Sequence, residues 1–275
     1  MSGSPIIWYG GKAKMAKKII NIMPFHKTYV EVFGGAGHVL FSKKRSQMEV
    51  YNDIHEGLYA LFNVIRDKEK AEKLRELLEL TPYSKNEFEY CKDWENEENE
   101  VEKARKFFVL CNQSFSGTVH SWKFSVRPKG DMPQTVKSYL SKIHESLPFA
   151  IKRLQGVQID NVSFEKVIER YDSKDTLFYL DPPYVHDTRS ESATDTYDFE
   201  MDNEMHKNLV EVLLNLKGKA IVSGYDHSIY DSISEGKWKK IPLGKFSKGA
   251  SKVESGEKRE KGEEMLWINY KIGED

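Results

Sequence analysis

Cysteine is scarce in this 275-residue sequence, which contains only Cys91 and Cys111. Two thiols cannot build a disulfide framework and these lack metal-ligand spacing, so a reducing, cytoplasmic setting is expected. Long apolar runs are also missing. No stretch approaches the ~20 residues of a membrane span and no secretory leader is read at the start, so no membrane partner is expected. The eight histidines are scattered, and none forms an H-x-E with a C-x-x-C partner. That argues against a zinc deaminase, and no metal is expected. No internal repeat is visible. Net charge is nearly absent as well, with 42 Lys+Arg against 43 Asp+Glu. Taken as a total, such a balance argues against nucleic acid, but an average hides local fields.

What is present is enough for a folded core, because 39% of residues are hydrophobic; this argues against global disorder. The length allows one large domain or a main domain carrying an insert. Charge is strongly segregated. Residues 1–30 hold Lys12, Lys14, Lys17, Lys18 and Lys27 with no acid, and 87–102 hold eight acids and one Lys. Residues 120–153 reverse the sign, with seven cations against Asp131 and Glu145. Lys237, Lys239, Lys240, Lys245, Lys248 and Lys252 form a last basic stretch. Solvated helix faces would explain any one cluster. Together they are read as a polarised surface able to neutralise a phosphate backbone, with the 87–102 acids facing away from it.

The pattern of apolar residues predicts helices over 13–23 and 39–44 and strands at 29–33 and 49–52. Helices dominate from 55 to 112, a loop rich in Ser, Gly and aromatics covers 113–135, and one helix spans 134–155. Strands return at 157–159, 176–180, 220–223 and 265–270, alternating with helices near 163–170, 203–216 and 228–235. Such alternation predicts an α/β fold with a doubly wound, mainly parallel sheet, interrupted by a mostly helical insert. Residues 245–262 lack apolar periodicity and read as an exposed, mobile loop.

Phe33-Gly34-Gly35-Ala36-Gly37 follows a strand and opens a helix. Glycine permits a tight turn and close approach of a ligand, although a purely structural turn is the simpler reading of such a loop. Asp53 lies 20 residues beyond Phe33 at the end of the next strand. A carboxylate there can accept hydrogen bonds from both ribose hydroxyls of an adenosine cofactor. The spacing is shorter than G-x-G-x-x-G and nothing is dedicated to a pyrophosphate, which favours S-adenosylmethionine and leaves NAD as the alternative.

The segment Phe178–Tyr184 reads Phe-Tyr-Leu-Asp-Pro-Pro-Tyr. An apolar strand runs into Asp181, and two prolines forbid its continuation. The stiff loop presents a carboxylate, the Pro182 carbonyl and the Tyr184 ring at a strand's carboxyl end, where open α/β sheets bind ligands. A planar base bearing an amino group suits these groups. The competing explanation is a rigid turn after a buried strand.

Five segments carry a resemblance to a known family: Trp8–Lys12 (WYGGK), Tyr29–Gly37 (YVEVFGGAG), Tyr51–Asp53 (YND), Asp181–Tyr184 (DPPY) and Ile221–Tyr225 (IVSGY). In kind and order they resemble the DNA adenine methylase (Dam-type) family of N6-adenine methyltransferases, in its phage or restriction-modification-like forms. The resemblance implies a Rossmann-like S-adenosylmethionine-dependent methyltransferase domain at 1–66 and 156–275, with a target-recognition domain at 67–155. It implies cofactor contacts for Trp8, Lys12, Glu31, Phe33, Gly35, Gly37, Asp53, Phe164 and Asp181, although an exposed Lys12 and a core Phe164 are the ordinary alternatives. Asp181, Pro182 and Tyr184 would be the catalytic set, acting on an adenine flipped out of double-stranded DNA, with S-adenosylhomocysteine as product.

For DNA contacts, the 112–127 segment mixes amide, aromatic and basic groups, and Asn112, Lys123 and Arg127 are the candidates. Members of the family that read GATC carry an Arg soon after an Asn-Gly; here Thr118-Val119-His120 follows Gly117. GATC specificity is therefore not carried over. A cognate restriction endonuclease is a candidate partner, and the chain is expected to be a monomer or weak dimer. Rival readings are methylation of RNA adenine, of another amino group such as cytosine or a protein amide, and a DNA-binding protein that keeps the fold without catalysis.

Overall fold

The computed structural model describes residues 3–185, 200–234, 236–247 and 261–273. In chain order its first elements are α1 (Ala16–Asn21), β1 (Thr28–Glu31), α2 (His38–Ser42), β2 (Met48–Asn52), α3 (Glu56–Arg66) and α4 (Lys68–Glu79). Then come α5 (Lys85–Cys91), α6 (Glu100–Gln113), α7 (Gln134–Ser141), α8 (Leu147–Leu154), β3 (Val157–Asp160) and α9 (Phe164–Tyr171). The last are β4 (Thr176–Leu180), α10 (Asn203–Leu214), β5 (Lys219–Tyr225), α11 (Asp231–Ser234), β6 (Lys239–Ser247) and β7 (Lys261–Ile268). The seven strands among the described residues form one sheet in the order β3-β2-β1-β4-β5-β7-β6.

Two compact units are present: Met1–Ala13, Gly35–Ser42 and His55–Ile159 in the first, and Lys14–Gly34, Lys43–Ile54 and Asp160–Asp275 in the second. The first is mainly helical. Asp67 and Asn99 cap α4 and α6 by accepting backbone N–H bonds in the first turn, each cap stabilising by about 1 kcal/mol. Gly57 of α3 lies against the Phe107 ring of α6, where a Cβ would come within 2.3 Å. The helix expected over 134–155 is instead α7, a π-helical turn at Lys142–Ser146, and α8. Pro148 in the first turn of α8 has no N–H with which to continue an α ladder.

The second unit carries most of the sheet. β1 runs parallel to β2 and β4, and β4 parallel to β5. β7 is antiparallel to both β5 and β6, so the doubly wound pattern ends in a hairpin that the sequence reading did not contain. β6 was hidden by Pro242, which an edge strand tolerates because its outer N–H groups need no partner. The register shift between Pro242 and Gly244 accommodates it. Of the loop expected over 245–262, residues 245–247 and 261–262 are strand. The rest of that loop, with Lys248 and Lys252, lies outside the described residues.

Successive strand residues alternate between two faces. Val30, Val50, Phe178, Leu180, Ala220, Val222, Met265 and Trp267 pack on one face with Phe164, Ile168 and Leu209. The opposite face carries Tyr29, Glu31, Tyr51, Tyr179, Ser223 and Glu264, all buried. One buried amide ties the strand ends. Asn52 Nδ2 donates to the Val32 carbonyl at 2.9 Å and the Val162 carbonyl at 3.0 Å, while Oδ1 accepts from Val162 N at 3.0 Å. Asn52→Ala leaves these buried groups unsatisfied, and urea unfolding is expected to show a loss of roughly 2–4 kcal/mol.

Candidate active site

β1, β2 and β4 run in the same direction, so their carboxyl ends share one edge of the sheet. The chain order turns between β1 and β4, the switch point at which open α/β sheets bind ligands. Glu31 ends β1, Asp53 follows β2 and Asp181 follows β4. Three carboxylates thus come to one edge from positions 22 and 128 residues apart in sequence.

Around the first two, the second unit holds a cradle. Glu31 is buried and accepts the Tyr29 hydroxyl at 2.8 Å; burial foremost, with the Glu31 carboxylate beside it, pushes that phenol well above its usual value. Asp53 is half-buried, and its main chain is held on both sides. Asn161 Nδ2 donates to the Asp53 carbonyl at 2.7 Å, and Asp53 N donates to the Asp160 carbonyl at 3.4 Å. Phe33 and Phe164 lie with ring centroids 5.9 Å apart and planes tilted by 35°. Gly34 leaves no room for a side chain, because a Cβ would meet the Tyr51 ring at 2.2 Å.

Asp181 accepts from Ser223 Oγ at 2.8 Å through Oδ1, and Ser223 also lies 3.1 Å from the Tyr179 hydroxyl. Strand periodicity explains the placement: Leu180 pairs with Val222, so the next residue of each strand, Asp181 and Ser223, points to the same face. Pro182 is buried. The Tyr184 hydroxyl donates to Glu264, 2.8 Å from both carboxylate oxygens. The Tyr184 ring meets Tyr225 edge-on at 4.7 Å. Burial first, then the Asp181 and Glu264 charges, raise the Tyr184 phenol well above its usual value, so it remains a donor.

Residues 8–245 match the family model described as D12 class N6 adenine-specific DNA methyltransferase. The chain belongs to that family. Its fold is accordingly the Rossmann-like methyltransferase fold, and its reaction class is methylation of adenine N6 in DNA. The type II methyltransferase M.MjaIII of Methanocaldococcus jannaschii is 26% identical, across 96% of this chain and 97% of its own. The DNA adenine methylase of Salmonella typhi is 25% identical over 81% of this chain and 80% of its own. That of Escherichia coli K12 is 24% identical over 80% and 79%.

In the helical unit of the methyltransferase, Gly35 adopts φ +50°, and a Cβ on it would lie 3.1 Å from the Trp8 ring. Trp8 meets His55 edge-on at 5.1 Å and Phe107 at 5.8 Å. Gly37 also takes a positive φ, 64°. Lys12 is buried, contrary to the exposed alternative, and donates to the Gly10 carbonyl at 3.0 Å. Asn112 is buried too. Its amide donates to the Pro5 and Phe108 carbonyls and accepts from Ile7 N, which withdraws it from the set of DNA contacts. Lys123 is half-buried and Arg127 exposed, and Phe124 and Val126 beside them are 66% and 84% exposed.

The charge clusters are also less superficial than their spacing predicts. Lys142 donates to the Ser4 carbonyl at 2.7 Å, and buried Arg153 to the Leu40 carbonyl at 2.9 Å. Glu87 and Glu102 grip Arg105 at 2.6 and 2.7 Å, and Glu97 holds Lys106 at 2.9 Å. Sequence reasoning assigned no role to Ser223, Tyr225 or Glu264. The available signal for Glu264 was an acid directly before the apolar run Met265–Ile268, on the face opposite Met265 and Trp267 by the two-residue period.

Burial, with Lys142 and Lys12 adding repulsion, lowers the His38 pKa from 6.5 to about 4. Unfolded chains therefore bind this proton more readily between those values, and stability falls as pH drops from about 6.5 toward 4, at up to about 1.4 kcal/mol per unit. Denaturant titrations across that window should show a shallower acid loss for His38→Gln than for the native protein.

Proposed function

We propose that this methyltransferase transfers a methyl group from S-adenosylmethionine to N6 of an adenine flipped out of double-stranded DNA. The observation that carries the reading is Asp181, fixed by Ser223 at the carboxyl end of β4 and followed at once by buried Pro182 and half-buried Tyr184. The groups at the edge fit the cofactor: the Phe33 and Phe164 rings for its purine, Asp53 for the ribose hydroxyls, and Glu31 for the cofactor's amino group. Within the helical unit, Trp8, Lys12, Gly35 and Gly37 keep the cofactor role that their motifs imply. S-adenosylmethionine supplies a methyl on a sulfonium and leaves as S-adenosylhomocysteine. Among the described residues no cluster of His, Cys, Asp and Glu suits a metal ion.

The chain's own groups prepare the nucleophile. An adenine amino nitrogen is a poor one because its lone pair is delocalised into the ring. Hydrogen bonds from its two hydrogens to the Asp181 carboxylate and the Pro182 carbonyl localise that pair as attack proceeds, the proton that the methylated nitrogen must lose passes by way of the Asp181 carboxylate to water, and Tyr184 stacks on the extruded base. Fixed position and fixed dipoles, rather than acid–base chemistry, provide most of the acceleration. Residues 67–155 supply target recognition, with Lys123 and Arg127 as candidate contacts. The work takes place in a reducing cytoplasm, by a monomer or weak dimer, alone or alongside a cognate endonuclease.

Methyl transfer to double-stranded DNA, single-stranded DNA and RNA, with the modified base identified by mass spectrometry, tests the proposal. N6-methyladenine in the duplex is expected; a product confined to RNA would sink it. Asp181→Ala is expected to lower kcat by about 1,000-fold or more, with calorimetry showing that S-adenosylmethionine still binds.

A further inference from the structure

Pro182-Pro183 constrain only the backbone before Tyr184. Its side-chain torsions need another restraint. Two contacts supply one. The hydroxyl is held equidistantly, at 2.8 Å, from both oxygens of Glu264, and the Tyr225 ring abuts it at an interplanar angle of 69°. Glu264 and Tyr225 are direct register partners between β7 and β5. On its other side Glu264 pairs with Gly244, which has no side chain, next to the register shift in β6.

Stability does not account for a carboxylate here. Glu264 is only 4% exposed, and taking a carboxylate out of water is costly even where hydrogen bonds return part of the loss, so an apolar strand residue would stabilise the sheet at least as well. Its neighbours on the same strand, Met265–Ile268, are all apolar and buried. Ser223 and Tyr225, two residues apart, share one face of β5. Ser223 reaches Asp181 while Tyr225 and its register partner Glu264 reach Tyr184. The same strand pair therefore fixes both functional ends of the Asp-Pro-Pro-Tyr segment.

We propose that Glu264 is a positioning residue that sets the plane of the Tyr184 ring for the extruded adenine. This rests on the reading of Asp181–Tyr184 as the adenine-binding segment. Glu264 acts through the phenol and touches neither base nor cofactor.

Steady-state methylation of unmethylated genomic DNA by the full-length protein tests it. Glu264→Ala and Tyr184→Phe are each expected to lower kcat/KM for DNA by about 10–100-fold. The double variant should be no worse than the weaker single, because both remove one interaction. Glu264→Gln, which can still accept the phenol hydrogen, should recover part of the rate, and S-adenosylmethionine affinity should stay within about twofold in all of them. Thermal melting identifies variants that do not fold; if Glu264→Ala is one, Glu264→Gln and Tyr184→Phe with their double variant carry the test. Full activity in the folded variants, or losses that multiply in the double variant, would overturn the proposal. Asp181→Ala separates the two levels. Its retention of activity would remove the adenine-binding reading itself, whereas an inactive Asp181→Ala beside fully active Glu264 and Tyr184 variants would remove only the positioning role.

Discussion

The two-residue period of the β-strand is the constraint on which the sheet-bearing unit depends. It sends Val30, Phe178, Val222 and Trp267 to one face and Tyr29, Tyr179, Ser223 and Glu264 to the other. The first set supplies the apolar burial that makes the unit fold. The second supplies buried polar groups that would be destabilising unless paired, and the observed pairs are Tyr29 with Glu31, Tyr179 with Ser223, Ser223 with Asp181 and Tyr184 with Glu264. A shift of one residue in the register of β5 would place Ser223 in the apolar layer and leave Asp181 without that donor. Core and chemistry are thus specified by one periodicity.

Rigidity at the strand ends follows from the same arrangement. Asn52 sits one residue before Asp53 and bonds to the main chain after β1 and before α9, so the turn that bears Asp53 has little freedom. The helical unit contrasts with this in one segment. Ser116 and Val119 both adopt positive φ, 57° and 58°, and for a β-branched valine that conformation is strained. The Ser114 hydroxyl accepts from Val119 N and helps hold the turn. Exposed Phe115, Phe124 and Val126 lie in the same stretch as Lys123 and Arg127.

Most α/β elements were legible because their patterns are local: β1, β2, β4 and β5 are short apolar runs ending at an acid, a glycine or a proline. The strand β6 was not, because Pro242 and a lysine-rich start mask it and only its place at the sheet edge makes it tolerable. The break between α7 and α8 was equally hidden, since the apolar pattern runs on through the π-helical turn. Of the candidate residues, those in motifs ending strands come to a shared edge within their unit. Asn112 was misread because an amide in an exposed loop and an amide closing a helix look alike in sequence.

Charge shows the division most plainly. Sequence by itself determined that cations and acids are segregated, that a carboxylate follows β2 and β4, and that Asp181 is held in a stiff Pro-Pro loop. Those are consequences of covalent order and local stereochemistry. Tertiary structure alone decided which charges remain at the surface: Lys142 and Arg153 bond to carbonyls distant in sequence, and acids of the 87–102 run close on Arg105 and Lys106. It also decided that Glu264 meets Tyr184, 80 residues away. A hydrogen bond requires two groups within about 3 Å, and for groups so distant along the chain only the folded sheet brings them that close.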